Sequence, residues 1–339
     1  MKIKEITIKG LYEKYNFHWI LNYDTNHNVN ILEGDNGSFK TTILNIILSL
    51  LRGTLLRNTK YENINSVDII LTDNCIIEYR ILKDNLLSIR KKAEEDDVFK
   101  SLKNRLEADY ANKSENELVK MNLSGDILMI KKDDNIISTD DFLKLIKLDF
   151  ISTFDRPLEK ETGDDKSSLD IKLGLLEAQY AYYLSDLSKI LTDNLEKEGK
   201  IDEEKYKQIY FHRNKFIEIV NKSFESSHKI LDKDASKLEF ILLDNKQRIG
   251  ISNLSSGEKQ LLIILLTVLL EKEEEAILIM DEPEISMHIE WQKVLINNIK
   301  ELNPSCQLIL TTHSPGIILE GWELLVKPMR EITVYNKEL

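Results

Sequence analysis

"GDNGSFKTT" spans residues 34–42 and comes within one residue of a phosphate-binding loop. The pattern G-x-x-x-x-G-K-[ST] puts glycine just before the lysine, where this chain has Phe39. In such a loop the backbone N–H groups from Asp35 to Thr41, together with the positive end of the following helix, surround a phosphate chain. Lys40 then reaches the outer phosphates, and Thr41 offers its hydroxyl to Mg²⁺. The context is right. "NVNILEG" ahead of the loop reads as a strand, and "KTTILNIILSLLRG" behind it repeats apolar residues at helical spacing up to Gly53, a C-cap glycine. A Gly/Asn turn opening an amphipathic helix would account for the same letters without any ligand. Three segments further along the chain decide between the two.

"AILIMDEPE" (276–284) ends an apolar strand in carboxylates, a costly place for charge without a metal or a proton to move. Asp281 is placed to hold Mg²⁺, and Glu282 to orient and deprotonate an attacking water. "NLSSGEKQ" (253–260) precedes the apolar run "LLIILLTVLL". Ser255 and Glu258 form a capping box there, which leaves Ser256 and Gly257 unexplained unless they belong to a nest of N–H donors for a phosphate. "QLILTTHSPGII" (307–318) is another buried strand, ending at His313. Strand ends gathered at one sheet edge are where α/β ligand sites form.

Taken together, the four segments resemble the ATP-binding-cassette ATPase heads of the SMC, Rad50, RecF and OLD type. "GDNGSFKTT" looks like their Walker A, "LSSGE" their signature, "ILIMDEPE" their Walker B and "TTHSP" their H-loop, in the family's order and at fitting separations. The likeness covers about 1–58 and 233–325. It implies an α/β P-loop NTPase of ABC-head type, with a mainly parallel sheet, an antiparallel β subdomain and a helical hairpin insertion. The expected divisions are 1–155 (lobe I, Walker A and a β-rich insert), 156–232 (hairpin) and 233–339 (lobe II). The expected ligands are ATP and Mg²⁺. Gly34, Asp35, Asn36, Gly37, Ser38, Phe39, Lys40, Thr41 and Thr42 would form the nucleotide cradle, with Thr41 and Asp281 on the metal and Glu282 and His313 catalytic. The resemblance further implies a homodimer or higher oligomer, because Ser255, Ser256, Gly257 and Glu258 would meet nucleotide held by a second copy.

Two departures stand out. The region matching the family's glutamine loop, "DFISTFDRP" (149–157), has no glutamine, and Asp155 is the nearest substitute. Phe39 is the other. A cradle built from the backbone need not put that position at positive φ, so the ring is expected to find room in the neighbouring lobe. Tyr12, Tyr15 or Phe17 could stack on adenine from upstream.

The rest of the chain narrows the role. Its 46 basic and 58 acidic residues give a formal charge of −12, which lends no support to non-specific nucleic-acid binding; "SIRKK" (88–92) is the densest basic stretch. Two cysteines without metal-ligand spacing and no signal-like start point to a reduced, cytoplasmic setting without a membrane. β patterns run through "VDIILTD", "CIIEYRIL" and "LLSIRKK", bounded by Asp-Asn pairs at 73–74 and 84–85. A hairpin signal lies in "ILMIKKDDNIIS". Two helical patterns, 173–195 and 203–231, break at "EKEGKID". Little chain follows His313, so a Toprim-like nuclease of the OLD kind is expected on a separate protein. "DEPEISMHIEWQ" and "TTHSPGII" resemble stand-alone ATPases of two-gene anti-phage systems, which implies a slow ATPase that senses or scaffolds for an effector. Alternatives are a RecF-like ATPase that clamps DNA and a nucleotide-gated module that does not hydrolyse.

Overall fold

In a computed structural model of the chain, the described residues are 1–24, 28–56, 64–85, 89, 91–94, 96–109, 122–152, 167–235, 237–319 and 321–334. Asp155 and most of "DFISTFDRP" lie outside them. The chain forms two compact units, one of residues 1–23, 34–148 and 327–339, the other of 24–33 and 149–326.

The first unit is built on an antiparallel sheet. Its strands run in the order Thr333–Val334, Tyr15–Ile20, Ile3–Leu11, Ser66–Leu71, Cys75–Asn85, Asn122–Lys132, Asn135–Ile136. Three of its hairpins turn on pairs of residues at positive φ: Tyr12 and Glu13, Asp73 and Asn74, and Asp133 and Asp134. Two consecutive left-handed residues give a hairpin the twist of its strands, and Asp and Asn tolerate that region best. The Asp-Asn signal at 73–74 is therefore a turn. The one at 84–85 is not, because Asp84 and Asn85 continue a strand and pair with Leu123 and Asn122. Ile89, Lys91 and Lys92, expected in a strand, are helical. The helix Lys40–Leu51 buries Ile43, Leu44, Ile46, Ile47, Leu50 and Leu51 and stops at Arg52–Gly53, where Gly53 takes φ 68.

The second unit holds the parallel sheet. Gln307–Thr312 lies between Val29–Glu33 and Ile277–Asp281, parallel to both. Every residue of the last two strands' cores is buried, as a sheet covered on both faces requires. The cover includes the helix Ser256–Leu270, whose apolar residues are buried all round, and the helix Ile289–Leu302. The helical hairpin is present as Ser168–Glu198 followed by Glu203–Ile209 and Phe211–Phe224, with Gly199 at φ 72 ending its first arm. It does not project as an arm. Leu173, Leu176, Tyr180, Phe216, Val220 and Phe224 join one core with Leu261, Leu265 and Leu310. The second arm ends earlier than its pattern suggests, since Lys229–Leu231 is a strand, paired with Glu239–Leu242 in a small antiparallel sheet.

That small sheet also fixes the start of the helix Ser256–Leu270. Ser255 caps it, and the Glu258 carboxylate returns to the Ser255 N–H at 2.9 Å, closing the capping box. Lys229 adds 2.7 and 2.9 Å contacts to the two Glu258 oxygens. Burial by itself would raise the Glu258 pKa, but Lys229 and the Ser255 N–H outweigh it and hold the carboxyl below its usual range. A depressed carboxyl stabilises the fold above its ordinary pKa and loses that contribution as pH falls through the folded value. Lys229→Met should therefore cost about 3–5 kcal/mol at pH 7, because it strands a charge that is only 2% exposed. In urea unfolding measured across pH, the deficit should shrink below about pH 4, where Glu258 is protonated in the variant and losing its advantage in the parent.

Candidate functional site

The parallel register decides where the chemistry-bearing residues emerge. Thr312 pairs with Glu33, and Thr311 pairs with Asp281 and Leu32, so three strands end at one edge. From that edge the chain continues into Gly34, Glu282 and His313. The two compact units each carry one half of the constellation.

In the first unit, the loop 34–39 turns through Gly37 at φ 80 and Phe39 at φ 72. Left-handed residues so spaced turn successive N–H groups toward one concavity, the geometry of an anion nest. A Cβ at Gly34 would meet Met329 Cγ and Ser38 Oγ at 2.8 Å, so the loop can fold this tightly only on glycine. Lys40 is 5% exposed and its ammonium donates to the carbonyls of Gly34 at 2.6 Å and Asp35 at 3.2 Å, inside the loop it would serve. Ser38 Oγ is buried and has no hydrogen-bond partner among the described residues. An orphaned hydroxyl, a lysine folded into the loop and two left-handed turns all fit a cradle for phosphate oxygens. Asp35, Asn36, Gly37 and Thr41 are exposed, and Thr42 is half-buried.

Phe39 does take the left-handed conformation that its sequence context left optional. For a residue with a β-carbon this costs about 1–2 kcal/mol. The ring is what offsets it. Its centroid lies 4.8 Å from that of Tyr15, 5.6 Å from Tyr12 and 6.3 Å from Phe17. Such pairs contribute about 0.5–1.5 kcal/mol each beyond the area they bury. The three aromatics named for adenine thus also surround Phe39. Phe17, 2% exposed, has no face to offer a ligand, whereas Tyr12 remains 44% exposed.

In the second unit, Asp281 is 2% exposed and accepts the Thr311 hydroxyl at 2.5 Å. The backbone then kinks, with Glu282 at φ 48 and its N–H bonded to the Thr311 carbonyl at 3.1 Å. The kink brings a Glu282 oxygen to 3.4 Å from His313 Nε2, with both side chains partly exposed. Beyond it, Glu284 and Gln292 bond into the histidine loop. Thr312 and His313 N–H donate to Glu284 at 2.7 and 2.8 Å, and Ser314 donates to Gln292 at 2.5 Å. Ser286, at φ 68, sets its carbonyl where a Cβ of Gly257 would stand, at 2.2 Å. Gly257 is therefore required inside this chain as well as in any contact with a nucleotide. Trp291 closes the same corner: it donates to the Ser223 carbonyl at 2.7 Å and stacks on Phe224.

The structure thus groups Asp281, Glu282 and His313 in one unit with the signature residues, and Gly34 to Thr42 in the other. Glu258 is engaged by Lys229 and closes the capping box with the N-cap Ser255. Among the described residues no three His, Cys, Asp or Glu side chains form a metal cluster. That does not bear on Thr41 and Asp281, one in each unit, as expected Mg²⁺ ligands, because that ion takes few protein oxygens and keeps its remaining positions for water and phosphate. Thr311, Thr312, Glu284, Gln292 and Trp291 were not singled out by the sequence. The threonine pair and second glutamate sat inside quoted motifs, but their partners lie about thirty positions away, beyond the reach of local pattern.

Known proteins give the same picture. The AAA_21 family, described as "AAA domain, putative AbiEii toxin, Type IV TA system", matches residues 29–320. The chain is 23% identical over 380 aligned residues to "Retron Vc95 probable ATPase" of Vibrio cholerae serotype O1 biovar El Tor, covering 95% of this chain and 73% of that protein. It is 39% identical to "Septu protein PtuA" of Bacillus thuringiensis over 44 residues, 13% of this chain and 11% of that one. Among solved structures it resembles an SMC head bound to the C-winged helix domain of ScpA, with TM-score 0.53, 14% identity and coverage of 94% and 92%. That likeness concerns the fold. With residues 29–320 matched, the chain belongs to the AAA_21 family, and its fold is that of an SMC head domain.

Proposed function

We propose that this head binds ATP with Mg²⁺, pairs with a second copy around the nucleotide and hydrolyses it slowly to control a separate effector protein. The observation that carries hydrolysis is the Glu282–His313 pair, held 3.4 Å apart at the end of a buried strand beside Asp281. The loop 34–42 would cradle the phosphates, with Lys40 turning from its carbonyl partners to the outer phosphate oxygens. Mg²⁺ held by Thr41 and Asp281 would neutralise charge on those phosphates. Glu282 would orient the attacking water and take its proton, and His313 would touch the terminal phosphate. Ser255, Ser256 and Gly257, at a capped helix N-terminus, would meet the nucleotide of the second copy.

For the effector, the reading is a Toprim-like nuclease on a separate chain, acting with this ATPase in the bacterial cytoplasm against phage. The retron ATPase among the relatives supports the anti-phage setting, and the Toprim-like nuclease rests on the motif resemblance alone. An acidic chain carrying −12 suits control of a protein partner better than a grip on DNA.

Turnover measured over a protein concentration series should rise more than linearly for a sandwich-forming head. Glu282→Gln should lower kcat by about 10²–10⁴-fold, the contribution of a general base, while ATP still binds and drives dimerisation seen by light scattering. Linear turnover untouched by Glu282→Gln would refute the reading. Phe39→Gly should behave differently: it relieves the left-handed strain but loses three ring contacts. Its thermal midpoint should fall by several degrees while ATP affinity stays within about threefold, a change of under 1 kcal/mol. A large loss of affinity would instead make Phe39 part of the nucleotide site.

A further inference from the structure

Of the two glutamates in "DEPE", only Glu282 has a part in the chemistry above. Glu284 lies two residues on, in the segment leading to the helix Ile289–Leu302. Its Oε1 accepts two donors, the Thr312 hydroxyl at 2.7 Å and the His313 N–H at 2.8 Å. Its Oε2 is buried and has no hydrogen-bond partner among the described residues. Leaving a buried carboxylate oxygen without a donor is unfavourable, so the bonds made by the other oxygen must be what holds the group there.

Those bonds belong to a closed circuit. Ser314 N–H donates to Thr312 Oγ at 2.9 Å, and the Ser314 hydroxyl donates to Gln292 Oε1. Gln292 Nε2 returns to the carbonyls of Met287 at 2.9 Å and Glu284 at 3.4 Å. The segment 284–287 and the histidine loop 312–314 are thereby joined at both ends of the circuit. On its far side the same segment rests on the signature helix, through Ser286 against Gly257.

We infer that Glu284 is a positioning residue that clamps the His313 backbone to the segment 284–287, so that the histidine keeps its place beside Glu282 and moves with the segment that contacts the signature helix. The consequence for turnover rests on the ATPase reading above; the clamp itself does not. Through this circuit, a displacement at Ser286 would reach His313 without passing through the nucleotide.

The test uses Glu284→Ala and Glu284→Gln in the full chain. Gln keeps the acceptor that Thr312 and His313 use and alters only the oxygen that has no partner. Glu284→Ala should lower kcat at least about tenfold with KM for ATP within about twofold, and Gln should restore most of the loss. Hydrogen exchange gives an independent reading: the His313 amide should exchange at least about tenfold faster in Glu284→Ala and near the parent rate in Glu284→Gln. Unchanged exchange at His313, or equal impairment in both variants, would overturn the clamp. A parent chain that binds ATP but never turns over defeats the hydrolysis reading alone, and exchange then decides the clamp. Should Glu284→Ala not fold, Thr312→Val removes one of the two donors and is read by the same exchange, where a parent-like rate counts against the proposal.

Discussion

A strand of apolar residues carries Asp281 into the interior of the protein, and keeping a carboxylate there sets terms for its surroundings. A charge with so little access to water is tolerable only with donors aimed at it. The neighbouring parallel strand supplies one through Thr311, and the register that does so also aligns the ends of three strands. The kink at Glu282, the short approach of His313 and the bonds of Glu284 all follow from where that register stops. Shift it by one residue and every side chain changes face.

The unusual loop residue fits the same logic of local expense met by local compensation. A left-handed phenylalanine in a glycine position looks like a lesion when only the loop is considered. Seen with Tyr12, Tyr15 and Phe17 it is one ring of an aromatic cluster, and the cluster holds the loop's last residue in its left-handed conformation. Rigidity that a glycine would lack is here built into the side chains. Strain persists at Glu282 and Ser286 as well, both left-handed without being glycine. Such residues survive where the surrounding structure over-determines them, which is common at functional sites.

Much of this was legible in the letters. Apolar strands ending in acid or histidine, and a capping box before an all-apolar helix, are patterns of neighbouring residues. They identified the parallel sheet, the signature helix and the helical hairpin. Other elements escaped. The strand Tyr15–Ile20 alternates aromatic and polar residues as far as Trp19, a signal that was present but unused, and Asp84–Asn85 carries a turn signal that long-range pairing with Asn122 and Leu123 overrides. Lys229–Leu231 follows a helical pattern but is captured by Glu239–Leu242. Gly257 invited a ligand explanation, yet the Ser286 carbonyl also claims the space. At Asp84–Asn85 and Lys229–Leu231 the outcome was decided by a partner strand outside the local pattern.

Two of the sheets join strands far apart in sequence. Val29–Glu33 pairs with Gln307–Thr312, and Tyr15–Ile20 pairs with Thr333–Val334. On a ribosome adding about 5–20 residues per second, the chain from Leu32 to Gln307 takes on the order of 15–55 s to make. Through that interval the Val29–Leu32 edge, apolar except for Asn30, waits for a neighbour not yet made. An exposed edge of that kind recruits other chains. Production of this protein is thus a matter of shielding Val29–Glu33 until Gln307–Thr312 has been made, a demand set by topology and not by the stability of the finished molecule.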